Sequence, residues 1–134
     1  MILFLSCIFT KIKQPMNKAS AWISAARLRT LPLSIAGILA GSAVAVKTTV
    51  FSLPILVLAL GTTLGFQVLS NFANDYGDGI KGTDNQDRVG PKRALQSGLL
   101  TAKELKHGMI LTAVVTLFLA SVLIFTAFGG EHMV

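Results

Sequence analysis

Residues 52–88 read SLPILVLALGTTLGFQVLSNFANDYGDGIKGTDNQDR. The run from Ser52 to Ala73 is apolar and meets the length of roughly 20 residues that a bilayer crossing needs. Its end carries Asn71, Asn74, Asp75 and Asp78, and Lys81, Asp84, Asp87 and Arg88 follow. Ionisable groups against a membrane span are expensive and mark a functional site by default. Four of the six acidic residues of the chain lie between Asp75 and Asp87. Acid gathered in one place points to a cation, or to something that cations carry.

The rest of the chain agrees with a membrane setting. Its 134 residues suit one domain, and 52% are hydrophobic while only 13% are charged, against roughly 25% charged in ordinary globular chains. The mean hydropathy is +0.67. The net charge is +6, but the basic residues flank apolar runs, as the positive-inside bias explains, so nucleic acid is not an expected partner. Cys7 is the only cysteine, which excludes an intrachain disulfide.

The expected fold is all-α, a polytopic transmembrane helical bundle. Residues 1–16 hold a short apolar stretch, Met1 to Phe9, too short to span. They read as an extension dipping into the interface or as a mis-assigned start ahead of Met16. Residues 17–134 form the membrane domain. Asn17 to Arg29 predicts an amphipathic lead-in helix, with Trp22 at headgroup level and Arg27 and Arg29 snorkelling. Spans are predicted at about 31–46, 52–73 and 108–128. Residues 47–50 form a tight turn, and 79–105 form a polar loop punctuated by Gly79, Gly82, Gly90-Pro91 and Gly98. Gly37 and Gly41, with Ala and Ser neighbours, predict close helix contact. Basic residues concentrate before the first span and in the 79–105 loop, while the first external turn holds only Lys47. Both the N-terminus and that loop are therefore expected on the cytoplasmic side.

If the second helix continues to Asp78, Asn71, Asn74, Asp75 and Asp78 fall at about 0°, −60°, +40° and −20° around its axis, with Gln67 near −40°. One face then carries all the amides and carboxylates, and Tyr76 points away. Oxygen donors without His or Cys suit Mg²⁺ or Ca²⁺, and Mg²⁺ commonly binds one or two carboxylates plus substrate phosphates. Lys81, Arg88, Lys92 and Arg93 are placed to meet phosphate oxygens. Acid for a metal and base for phosphate, side by side at a membrane surface, suit a diphosphate on a lipid tail. The alternative is a merely solvated helix end, although Asp is unfavourable at a helix C-terminus. EF-hand spacing is absent. His107 and His132 stand apart, against a zinc site.

Three stretches, Arg27-Leu-Arg29-Thr-Leu-Pro32, Asn71-Phe-Ala-Asn74-Asp75-Tyr-Gly-Asp78, and Lys81-Gly-Thr-Asp84 with Arg88-Val-Gly-Pro91-Lys-Arg93-Ala-Leu-Gln-Ser97-Gly, carry a likeness. Over about residues 17–128 the chain resembles the UbiA superfamily of intramembrane prenyltransferases, nearest to its branch acting on 1,4-dihydroxy-2-naphthoate in menaquinone synthesis. The resemblance implies an enzyme in which Mg²⁺ holds the diphosphate of a polyprenyl diphosphate and an allylic cation forms. The naphthoate ring attacks it and loses CO₂, giving demethylmenaquinone. Asn74, Asp75 and Asp78 match the first fixed positions of the superfamily motif N-D-x-x-D-x-x-x-D. Its last position falls on Gly82, and Asp84 stands two residues on as a substitute. The implied site is Asp75 and Asp78 as catalytic residues, and Asn74, Asp75, Asp78 and Asp84 on the metal. Asn71, Asn74, Lys81, Arg88 and Arg93 are implied on the diphosphate. Arg27 and Arg29 lie on the correct membrane side for that too, with snorkelling the other reading.

The superfamily is built from about nine transmembrane helices, each of roughly 20 apolar residues, with a second aspartate-rich motif on a later loop. Here three spans are expected, and only Glu104 and Glu131 remain as acid outside the cluster. The chain is therefore expected to be the N-terminal part of a longer enzyme, inactive alone, in the plasma (inner) membrane. The other readings are another aromatic prenyltransferase of quinone or haem synthesis, a non-catalytic membrane subunit, and part of a cation transporter.

Overall fold

Asn17 starts the first helix by capping it: its side-chain oxygen accepts the Ser20 N–H at 2.8 Å, satisfying one of the donors a helix start leaves open. The computed structural model describes residues 17–48, 50–82, 94–95 and 97–129. Residues 1–16, with the two readings of the start, lie outside the described residues. Helix α1 runs Lys18–Ala26 and stops at Arg27, whose φ of 50° and ψ of 57° are left-handed. That geometry costs a residue with a Cβ roughly 1–2 kcal/mol. A 3-10 turn, Leu28–Thr30, follows, and α2 occupies Leu31–Lys47 with Pro32 in its first turn. The lead-in helix thus breaks at Arg27 instead of continuing to Arg29.

Helix α3 runs Leu53–Lys81 as 29 unbroken residues and ends on Gly82, whose φ of 65° makes the left-handed cap. It is longer than the span expected at 52–73. At 1.5 Å per residue it rises about 43 Å, against a hydrocarbon core of about 30 Å. With its apolar part in the hydrocarbon, the turns carrying Asn74, Asp75, Asp78 and Lys81 stand at or beyond the interface. Gly79 was expected to break the chain but lies inside the helix. A Cβ there would fall 2.1 Å from Leu95 Cδ2, so the missing side chain admits the returning loop. The positive φ of Gly98, 72°, turns that loop toward the next helix.

Helix α4, Ala102–Phe128, starts earlier than the span expected at 108–128, because Thr101 and Glu104 form a reciprocal capping box. The Thr101 hydroxyl accepts the Glu104 N–H at 3.2 Å, and the Glu104 carboxylate accepts the Thr101 N–H at 2.9 Å. Lys18 pairs with Glu104 and ties α1 to this start. Within α4, Thr112, Ser121 and Thr126 donate to carbonyls one turn back at 2.8–2.9 Å, which satisfies hydroxyls that lipid cannot.

Regular structure among the described residues is entirely helical, and three stretches are long and apolar enough to cross a membrane. This is the all-α membrane bundle expected. The core sits at one end of it. Ala21, Ala25, Phe72, Ala94, Leu100 and Leu105 are buried where α1, the end of α3, the returning loop and the start of α4 meet. Trp22 meets Phe72 edge-on, with centroids 5.4 Å apart. Elsewhere Leu33, Val57, Leu117, Phe118 and Phe125 face outward, as surfaces in contact with lipid or further helices do.

Close packing occurs at a different glycine pair from the one expected. A Cβ on Gly37 or Gly41 meets nothing within 4 Å; both residues line a groove of about 300 Å³ between α2 and the start of α3. The tight contact is on α3. A Cβ on Gly65 would fall 2.2 Å from Thr116 Oγ1, and one on Gly61 3.5 Å from Leu119 Cδ1. Gly65 is therefore the position that needs a small residue against α4, while a Cβ at Gly61, one turn before it, would meet α4 at ordinary contact distance. Gly65→Ala should lower stability by ~1–3 kcal/mol through overpacking, while Gly37→Ala should be neutral. Thermal unfolding of both variants in micelles checks this, and equal midpoints would overturn the packing assignment.

Candidate functional site

The polar face of α3 meets the α1–α2 junction. Gln67 comes first: its Oε1 accepts the Ser34 hydroxyl from α2 at 2.7 Å. One turn on, Asn71 Nδ2 donates to the Ala26 carbonyl at 2.8 Å and lies 3.3 Å from Thr30 Oγ1. Asn71 is only 3% exposed. A buried amide hydrogen bond contributes about 1 kcal/mol net, but leaving the buried partner unsatisfied costs ~1–3 kcal/mol. The donor half of Asn71 is thus committed within the protein.

Beyond Asn71 the face is unevenly covered. Asp75 is 2% exposed, Asp78 is half-buried, and Asn74 and Lys81 are exposed. Asn74, Asp75 and Asp78 are all engaged by other groups of the chain. Helical continuity holds Asp75 and Asp78 one turn apart on one side. Both sit near the C-terminal, negative end of the α3 dipole, an unfavourable place for carboxylates. Lys81, in the last turn, is the favourable sign there.

Tyr76 does turn away from this face and packs against the core beside Phe72. Asp84, Arg88 and Arg93, expected as metal or diphosphate contacts, lie outside the described residues. Among the described residues no three His, Cys, Asp or Glu groups gather as a metal cage. The donors present are two carboxylates and a neighbouring amide, all oxygen. That set fits Mg²⁺, which takes one or two carboxylates and completes its octahedron from water and phosphate. His107 has its Nδ1 2.7 Å from the Lys103 carbonyl, within its own helix.

A cavity of about 890 Å³ lies between Trp22 of α1 and the start of α4, beside Phe72 of α3, walled by Trp22, Phe72, Gly108, Leu111 and Val114 with Glu104 and His107 among its lining. No carboxylate of α3 lines it. The pairings at Ser34, Ala26 and Thr30 were not foreseen from sequence: a backbone carbonyl such as that of Ala26 leaves no residue-type signal, and spacing does not say which hydroxyl stands opposite Gln67 or Asn71.

Similarity to known proteins is extensive over this chain. It is 43% identical over 102 residues to the 1,4-dihydroxy-2-naphthoate octaprenyltransferase of Escherichia coli K12, covering 76% of the chain and 33% of that protein. The Haemophilus influenzae protein of the same name is 46% identical over 114 residues, covering 84% and 37% respectively. The Mycobacterium tuberculosis protein of that name is 43% identical over 103 residues, covering 75% and 32%. The chain thus spans about a third of the length of these curated relatives. No family model and no solved structure matches.

The uneven exposure of the face has a direct test on a Cys7→Ser background. Cysteines at Asn74 and Lys81 should react freely with a water-soluble maleimide in open membranes. Cysteine at Asp75 should react at least about tenfold more slowly, protected by packing. Equal rates at the three positions would contradict the placement of Asp75.

Proposed function

The chain belongs, over at least three quarters of its own length, to the family of the 1,4-dihydroxy-2-naphthoate octaprenyltransferases, and on that premise we propose that it forms the diphosphate-binding part of such an enzyme. The reaction joins a polyprenyl diphosphate to 1,4-dihydroxy-2-naphthoate. The allylic C–O bond breaks and diphosphate departs. The prenyl group takes the ring carbon that held the carboxylate, and CO₂ leaves, giving demethylmenaquinone at the quinol level.

The observation that supports this reading is the continuity of α3 through Asp78 to Lys81. It sets carboxylates and a lysine on the end of a membrane helix, where a lipid diphosphate presents its headgroup. Asp75 and Asp78, with Asn74 and Asp84, are the residues to hold Mg²⁺. Bound there, the ion would neutralise charge on the departing diphosphate. Lys81, Arg88 and Arg93 are the residues to donate to diphosphate oxygens, as charge-assisted bonds favour. The apolar outer faces of α2, α3 and α4 keep the prenyl tail in lipid. By the distribution of basic residues, the site faces the cytoplasm across the plasma membrane.

The test is a chimaera. Residues 17–129 replace the matching segment of the Escherichia coli relative, and prenylation of 1,4-dihydroxy-2-naphthoate by a labelled polyprenyl diphosphate is measured in membranes. The chimaera should be active, should lose activity with a chelator and regain it with Mg²⁺. Asp78→Ala should reduce turnover by at least ~100-fold, the scale of losing one electrostatic stabiliser. Unimpaired turnover by Asp78→Ala, with Mg²⁺ the only divalent ion, would remove that aspartate from the site. Ion flux without any prenyl donor would favour the transporter reading.

A further inference from the structure

Two features meet at the junction of α1 and α2. Arg27 is the only non-glycine residue with positive φ among the described residues, so the break between the helices is held in a conformation that L side chains rarely adopt. Such a conformation persists only where its surroundings over-determine it. What surrounds it is a small net of hydrogen bonds. The Arg27 N–H reaches Ser24 O at 3.2 Å, while the Arg27 carbonyl accepts from Thr30 N at 2.9 Å and from Thr30 Oγ1 at 2.9 Å. The Ala26 carbonyl, left open by the end of α1, accepts Asn71 Nδ2 from α3. Asn71 also touches Thr30 Oγ1, so one buried amide reaches both sides of the break.

Asn71 stands one turn before Asp75 and two turns before Asp78 on the same face of α3. Ser34–Gln67 is a second tether one turn nearer the bilayer centre. We infer that Asn71 is a positioning residue: its amide clamps the strained α1–α2 break onto α3, and so sets where the Arg27–Thr30 segment stands relative to Asp75 and Asp78. In this role it works through its N–H donor and not as an oxygen ligand of metal or diphosphate. The structural part of this inference stands on the geometry alone, and its consequence for catalysis rests on the prenyltransferase reading.

Asn71→Asp separates the two roles. Aspartate keeps oxygen for a metal but has no N–H for the Ala26 carbonyl, and two acceptors then face each other. The first measurement uses the full chain in lipid nanodiscs on a Cys7→Ser background, with spin labels at Ile23 and Ile80, both exposed. The clamp predicts one narrow α1–α3 distance in the parent and a broad or displaced one in both Asn71→Asp and Asn71→Leu. A narrow, unshifted distance in Asn71→Asp would overturn it. The second measurement is kinetic, in the chimaera. Asn71→Asp should raise KM for the prenyl diphosphate about tenfold or more, the scale of losing a supporting contact, with an unchanged Mg²⁺ requirement. A shifted Mg²⁺ requirement with unchanged KM would make Asn71 a ligand and overturn the positioning role. An inactive parent chimaera would count against the enzyme reading, while the distance measurement still decides the clamp.

Discussion

The unbroken course of α3 is the constraint on which the rest of the structure depends. In hydrocarbon a chain must satisfy its own N–H and C=O groups, and a helix does so residue by residue. Here the helix does not stop where the hydrocarbon stops. It continues through Gly77 and Gly79, residues that each disfavour helix by about 1 kcal/mol relative to alanine, and ends only at Gly82. Packing offsets that preference. Tyr76 joins the core at this end of the bundle, and Leu95 lies over Gly79. The result is one rod, rooted among apolar helices, that carries its acid to the membrane surface.

The two sides of that rod do different work. Toward α4 it is smooth at Gly61 and Gly65, which brings backbone close to Thr116 and Leu119. Toward the α1–α2 junction it is polar, and Gln67 and Asn71 reach across to a hydroxyl and a carbonyl. Van der Waals contact on one side and hydrogen bonds on the other are what hold helices together where lipid removes the hydrophobic drive. The same polar face then emerges as Asn74, Asp75 and Asp78. Tether and site are successive turns of one stripe, so the site inherits its orientation from the tether.

Much of this was legible in the residues. Composition and run length were enough for an all-α membrane chain, and the 100° step put Asn71, Asn74, Asp75 and Asp78 on one face before any coordinates. The helix ends were less legible. Gly79 reads as a breaker, and only the loop packed over it explains why it is not one. The Thr101–Glu104 capping box was present in the sequence and moves the start of α4 to Ala102. Gly37/Gly41 and Gly61/Gly65 are the same pattern with the same spacing, yet only the second pair meets a neighbouring helix, and of that pair only Gly65 leaves no room for a Cβ. Spacing says which residues share a face, but not what stands opposite.

The sequence by itself determined that three apolar helices cross a membrane and that one of them ends in an acidic stripe. Partition into lipid and the 3.6-residue repeat are local properties, readable without neighbours. Tertiary structure alone decided how that stripe is divided. Asn71 is buried against the Ala26 carbonyl, Asp75 is enclosed, and Asn74 is left exposed, although all three lie within about 100° of one another on the helix. The reason is physical: at a helix surface, burial depends on where the adjacent helix axis passes. For Asn71 that neighbour ends in the left-handed break at Arg27, which leaves the Ala26 carbonyl opposite the amide, and no property of residue 27 alone foretells the break.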